Sequence, residues 1–173
     1  LVREKPVVPT AAGEILLRGL FTSVGGADPD VAVRLVDAVM DWRDADDLRR
    51  PNGAEAADYQ GTGSKVVPAN APFETVGEVA RVLGMTPAIY SRIAGSVTVY
   101  SRQAGVNPLT ASREVLLALP NADASVVDAY VALRRRLHLP TGPEARLLLH
   151  RRGGVPTPYS ADGFGNSMRR LFR

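Results

Sequence analysis

Between positions 41 and 58 six carboxylates, Asp41, Asp44, Asp46, Asp47, Glu55 and Asp58, crowd a stretch that also holds the turn Pro51-Asn52-Gly53 and the aromatics Trp42 and Tyr59. Like charges at that density repel unless something positive sits among them. A hard divalent cation such as calcium takes about six to eight oxygens from a flexible loop, and this stretch offers them. The order Asp41-x-x-Asp44-x-Asp46-Asp47 is not that of an EF-hand, which wants acids at alternate positions, then glycine, then a distant glutamate. Two readings therefore stand side by side. In one, Asp44, Asp46, Asp47, Glu55 and Asp58 hold calcium directly, with Asp41 a second choice at a helix end; in the other, the loop is simply solvated acid.

Other chemistries find less footing. The absence of cysteine removes disulfides, thiolate zinc, iron–sulfur sites and thiol catalysis at once. His138 and His150, the two histidines, lack a partner at zinc-ligand spacing and a nucleophile beside them. Paired carboxylates such as Asp37 with Asp41 or Asp44 could serve a glycosidase, but a cation explains a loop crowded with further acids better. No glycine-rich phosphate loop or Gly-x-Ser-x-Gly occurs. The expectation is a protein that is not an enzyme.

The elements that must position the acids follow from capping signals and period. Thr10 reads as an N-cap for a helix over 11–21, with Ile15, Leu16 and Leu20 on one side. Asp28-Pro29 starts a second helix in which Val31, Leu35, Ala38, Val39 and Trp42 recur inward. Asp30, Arg34, Asp37 and Asp41 fall opposite, so this helix delivers Asp41 to the mouth of the loop. Residues 49–72 read as one long irregular segment, unusual unless something such as a bound ion ties it down. Thr75-Val76-Gly77-Glu78 forms a capping box; Gly84 ends that helix and Thr86-Pro87 opens the next. Ser96 to Tyr100 alternates like a strand. Thr110 to Leu119 and Asp123 to Leu137 make a last helical pair, whose opening Thr110-Ala111-x-x-Glu114-Val115-Leu116 echoes Thr10-Ala11-x-x-Glu14-Ile15-Leu16. Three helical hairpins result. Past Pro140, Leu147-Leu148-Leu149 and 168–172 read as strands.

A chain of 173 residues, 45% hydrophobic and 23% charged, suits one globular domain, or one with an appendage. No run of about eighteen apolar residues spans a membrane. Leu1 opens the chain without methionine or a signal-peptide pattern, so a fragment of a longer protein is expected. The net charge of +3 hides an asymmetry: residues 28–58 hold nine of the eighteen acids, and residues 134–173 hold nine arginines against Glu144 and Asp162. Such a tail suits nucleic acid or anionic lipid, or a solvated edge; the edge is favoured because no stacking aromatics interleave the arginines at 134–136.

The run Asp41-Trp42-Arg43-Asp44-Ala45-Asp46-Asp47-Leu48, continuing to Asn52-Gly53-Ala54-Glu55, resembles the minor pseudopilin K family of type II secretion. Asn70-Ala71-Pro72-Phe73, Gly84-Met85-Thr86-Pro87 and the segment Asn107 to Leu116 extend the likeness across about residues 7–137. The resemblance implies a mainly α chain with minor β: a helical-hairpin insertion domain over 7–137, with the acidic loop at 41–59, on a pilin-like α/β scaffold to which the basic segment 138–173 belongs. It also implies calcium at the loop, a place at the pseudopilus tip, and other minor pseudopilins as partners. The parent would sit on the periplasmic side of the inner membrane, anchored by an N-terminal helix absent here. Ala56-Ala57 and the lone Tyr59 before Gln60 depart from the family pattern and leave the number of ions open. The alternative is a helix–hairpin–helix nucleic-acid module, since helix N-termini bind phosphate. Against it, the turn at 119–123 lacks Gly-x-Gly and ends in Asp123, and Gly25-Gly26-Ala27 ends in Asp28, so no nucleic-acid partner is expected.

Overall fold

Helix α2, Pro29–Arg43, is the axis of the fold in the computed structural model, which describes residues 11–99 and 106–137. Its start is set locally: Asp28 accepts from the Asp30 N–H at 3.1 Å and Pro29 fills the first helical position. Leu35, Ala38, Val39 and Trp42 are buried as their spacing predicts, but so are Ala32, Val36 and Met40. Such a broad buried arc belongs to a helix covered on more than one side.

Helix α1, Ala11–Gly19, packs on α2 and widens into a π-helical turn over Leu20–Val24. There the Thr22 hydroxyl donates to the carbonyls of Arg18 and Gly19, and the Gly25 N–H reaches Leu20 O at 2.9 Å. Leu20 and Phe21 are buried, whereas Ile15, expected on the inner side, is exposed. The cause is that α1 straddles two apolar clusters: Leu17 packs on one, around α2, and Leu16 on the other, around Val115, Leu116, Val127 and Val131.

These clusters meet at Gly19. A Cβ placed there would lie 2.1 Å from Ala118 O and 2.9 Å from its carbonyl carbon, so α1 and the chain at Ala118 touch backbone to backbone. Gly19→Ala is expected to lower stability by about 1–3 kcal/mol in urea unfolding, although alanine gains about 1 kcal/mol in helix propensity. A variant as stable as the parent would contradict this close approach.

The middle hairpin forms with one change. Glu78 does accept from the Thr75 N–H at 2.9 Å, but the arm over Val76–Arg81 is a 3-10 helix, not an α-helix. Gly84 turns the chain at φ +85°, and α4, Pro87–Ile93, opens on Thr86, whose hydroxyl accepts from the Ile89 N–H. The expected strand at 96–100 is not found among the described residues: Ala94–Ser96 prolongs α4 as a 3-10 turn. Alternation of β-branched residues makes a strand only where another strand takes up its backbone groups, and the described residues contain no strand to pair with. Helix α5 is shorter than expected, Arg113–Leu117, and its cap is Ser112 rather than Thr110. Asn107 draws the preceding residues into a turn of their own, accepting from Leu109 N–H on its side chain and Ala111 N–H on its carbonyl. Helix α6, Ala124–Arg136, starts on Asp123 and buries Arg134, which donates to the carbonyls of Pro108 and Ala111.

The segment 49–72 contains α3, Ala56–Gly61, and aromatic side chains hold it. The Tyr59 ring is buried against Trp42, its hydroxyl accepts from the Leu83 N–H at 2.8 Å, and Phe73 stacks on Trp42 as well. The described residues are thus helical. Thr10 and the segment 138–173, with the strands expected at 147–149 and 168–172, lie outside them. No described helix is long and apolar enough to cross a membrane.

Candidate functional site

The end of α2 and the loop that follows bring most of the acids to one place. Asp41, expected beside the solvent face, has no exposed surface. The loop returns at Arg50, whose N–H donates to both Asp41 oxygens at 3.2 and 3.4 Å, and Gly53 lies against the same carboxylate. Burial pushes Asp41 above the usual carboxylate range, opposed by the Arg50 N–H and reinforced by the charge of Asp44.

Glu55 is the centre of the cluster. Its residue is 7% exposed, and although its side chain faces the Asp58 N–H in the capping box that opens α3, neither carboxylate oxygen meets that or any other donor in hydrogen-bond geometry. Burial first, then the charges of Asp41, Asp44, Asp47 and Asp46, push its carboxyl up to about 7. Asp44, the C-cap of α2, repeats the pattern: Oδ1 is buried and unpartnered, and burial followed by the Asp46 charge raises its carboxyl. A buried carboxylate without donors is costly. Glu55, with one buried oxygen of the half-buried Asp44 near it, marks a deficit of positive charge.

The remaining candidates fall differently. Asp46 and Asp47 are exposed; Asp46 accepts from the Leu48 N–H and Asp47 from the Asn70 side-chain amide. Asp58 is engaged elsewhere. Its Oδ2 accepts from the Glu55 N–H at the start of α3 and its Oδ1 pairs with Arg49 at 3.0 Å, which holds it below the usual carboxylate range. Asp58 therefore caps a helix, and the structure does not bring it into the set with Glu55 and Asp44. Among the described residues no three acidic or histidine side chains converge tightly enough to form a preassembled metal site. What suits a hard cation is the orphaned oxygens of Glu55 and Asp44, with the exposed Asp46 and Asp47 close enough for their charges to act on Glu55.

One functional residue escapes sequence reasoning: Arg50. Its guanidinium pairs with Glu14 of α1 at 2.9 Å and Asp37 of α2 at 3.3 Å, and Asn52 also bonds Asp37 through backbone and side-chain nitrogens. An arginine just before Pro51-Asn52-Gly53 in an acid-rich stretch was the available signal. At the hairpin starts, Asp28 and Asp123 occupy their own helix N-termini with hydrogen-bonded carboxylates, where a phosphate would otherwise sit.

Comparison with known proteins places these features. The chain is 34% identical over 117 residues to the type II secretion system protein K of Klebsiella pneumoniae, covering 64% of this chain and 35% of that protein. It is 31% identical over 134 residues to the protein K of Pseudomonas aeruginosa, covering 75% and 39%. It thus spans well under half the length of these relatives. The fold resembles a chain in the crystal structure of the GspK-GspI-GspJ complex from the enterotoxigenic Escherichia coli type 2 secretion system, with a TM-score of 0.54 at 16% identity, over 79% of this chain and 57% of that one. Residues 2–102, which include every carboxylate of the cluster, match the family model of type II secretion system (T2SS) protein K, and the chain belongs to that family.

Proposed function

We propose that this chain is the helical domain of a minor pseudopilin. It works as a structural part of a type II secretion pseudopilus, capping the tip by assembling with other minor pseudopilins on the periplasmic side of the inner membrane, to which an N-terminal helix anchors the parent protein. Family membership and the fold shared with a protein crystallised in such a complex support this reading. The work is carried by surface and shape, not by chemistry on a substrate.

Calcium stabilises this domain. The observation that carries the assignment is Glu55, buried, without a hydrogen bond and surrounded by four carboxylates. Glu55 and Asp44 are the core ligands, Asp46 and Asp47 turn inward to join them, and Asp41 supports the loop from beneath. Asp58 contributes through its cap. The ion supplies the positive charge that the buried acids lack.

The assembly is tested by mixing the chain, carried in its full periplasmic part, with the periplasmic parts of the other minor pseudopilins from the same system. A co-eluting complex at tens of micromolar is expected, with an interface of about 1,200 Å² or more. Components that elute separately under those conditions contradict the partner assignment.

A further inference from the structure

Arg50 carries the same sign of charge as a metal ion and lies close enough to Asp41 and Asp44 to lower both carboxyls electrostatically. On charge alone, a cation site would be better without it. The connections of Arg50 point the other way. Its N–H seats the buried Asp41 carboxylate, and its guanidinium grips Glu14 on α1 and Asp37 on α2. Two residues on, the backbone and side-chain nitrogens of Asn52 bond the second oxygen of Asp37. The segment between Asp44 and Glu55 is thereby fastened to both helices of the first hairpin at its middle, with a proposed ligand at each end.

From this we infer that Arg50 is a positioning residue for the cation: with Asn52 as its neutral companion, it holds the 44–55 loop in the closed form that the ion recognises. The inference rests on the calcium reading above. Its physical basis is the population of the closed loop. Four acids surround Glu55 and repel it, so without an ion the loop is pressed to open, and the clamp to α1 and α2 resists that opening. A ligand that binds only the closed form has an apparent dissociation constant equal to its intrinsic value divided by the closed fraction. Loosening the clamp lowers that fraction and weakens binding, even though it removes a positive charge. Lysine keeps the charge but lacks the planar fork that reaches two carboxylates at once. Asn52→Ala leaves every charge in place.

The test is titration calorimetry with calcium chloride on the intact chain and on Arg50→Met, Arg50→Lys and Asn52→Ala, with melts in chelator to identify variants that are folded. Calcium is expected to bind the parent, and all three variants to bind it about three- to tenfold more weakly. Tighter or unchanged binding by Arg50→Met, with Asn52→Ala unchanged, would show that Arg50 acts only as a charge and overturn the positioning role while leaving the calcium site in place. If Arg50→Met does not fold, Asn52→Ala decides by the same criterion. No binding to the parent chain would remove the calcium site, and this inference with it.

Discussion

In chelator, the melting midpoint is expected to fall as the pH rises from about 5 to about 8, because Glu55 then ionises in a site without donors. The sign follows from the direction of its shift. Glu55 is raised from 4.5 to about 7, so across that interval the folded state holds a proton that the unfolded chain has released. Stability therefore decreases with pH through the interval, by about 3 kcal/mol in all at 1.36 kcal/mol per unit. Burial and neighbouring acids raise Asp41 and Asp44 in the same sense. The lowered carboxylates, Asp58, Glu78, Asp123 and Asp128, act oppositely and lower in pH, since their contribution is lost only as pH falls through their depressed values. Calcium should cancel the decline. At one hundred times its dissociation constant it adds roughly 2.7 kcal/mol, or about 5–10 °C for a chain of this size. Glu55→Gln should flatten the pH profile in chelator and remove most of the calcium response. A parent midpoint that holds level over this window, or a glutamine variant that responds like the parent, would remove Glu55 from the centre of the site.

Gly53→Ala is expected to cost about 2–4 kcal/mol, far more than one methyl group in a surface turn. The added Cβ would stand 2.0 Å from Asp41 Oδ2 and 2.7 Å from Cγ. Asp41 cannot swing aside, being fully buried and held by the Arg50 N–H. Either the loop lifts and strands a buried carboxylate, or the carboxylate loses its donors. Urea unfolding of Gly53→Ala, Asp41→Ala and the double variant would check this. The double should cost less than the two single changes together by about 1 kcal/mol or more, since both remove the same seat. Additive losses, or a Gly53→Ala loss under about 0.5 kcal/mol, would show that the contact does not matter.

These residues also show what a sequence reveals here and what it hides. Asp28-Pro29 and Thr86-Pro87 were legible because each cap and its partner lie within three residues. The acidic stretch was legible as composition, and its likeness to a family gave it a purpose. The burial of Asp41 was not legible: helical period sets it beside Asp37, and only the returning chain at 50–54 supplies the donors that let it go inside. Asp58 was open for the opposite reason, since a carboxylate three residues after Glu55 serves equally as ligand or cap, and its bonds to the Glu55 N–H and Arg49 join residues whose meeting no spacing fixes. The strand expected at 96–100 failed because alternation carries no information about whether a partner strand is near. In the segment 49–72, the packing of Tyr59 and Phe73 on Trp42 was likewise hidden, because it joins residues far apart in the chain.

The straddling of two clusters by α1 has a consequence for biosynthesis. Leu17 packs on a cluster that begins with Leu20 and Phe21, whereas Leu16 packs on one built from Val106 to Val131. A ribosome adding about 5–20 residues per second makes Leu16 wait roughly 5–20 seconds for that cluster to emerge. During that interval the nascent chain shows Leu16 of α1 uncovered, which is where a chaperone that captures unfinished chains would find its hold.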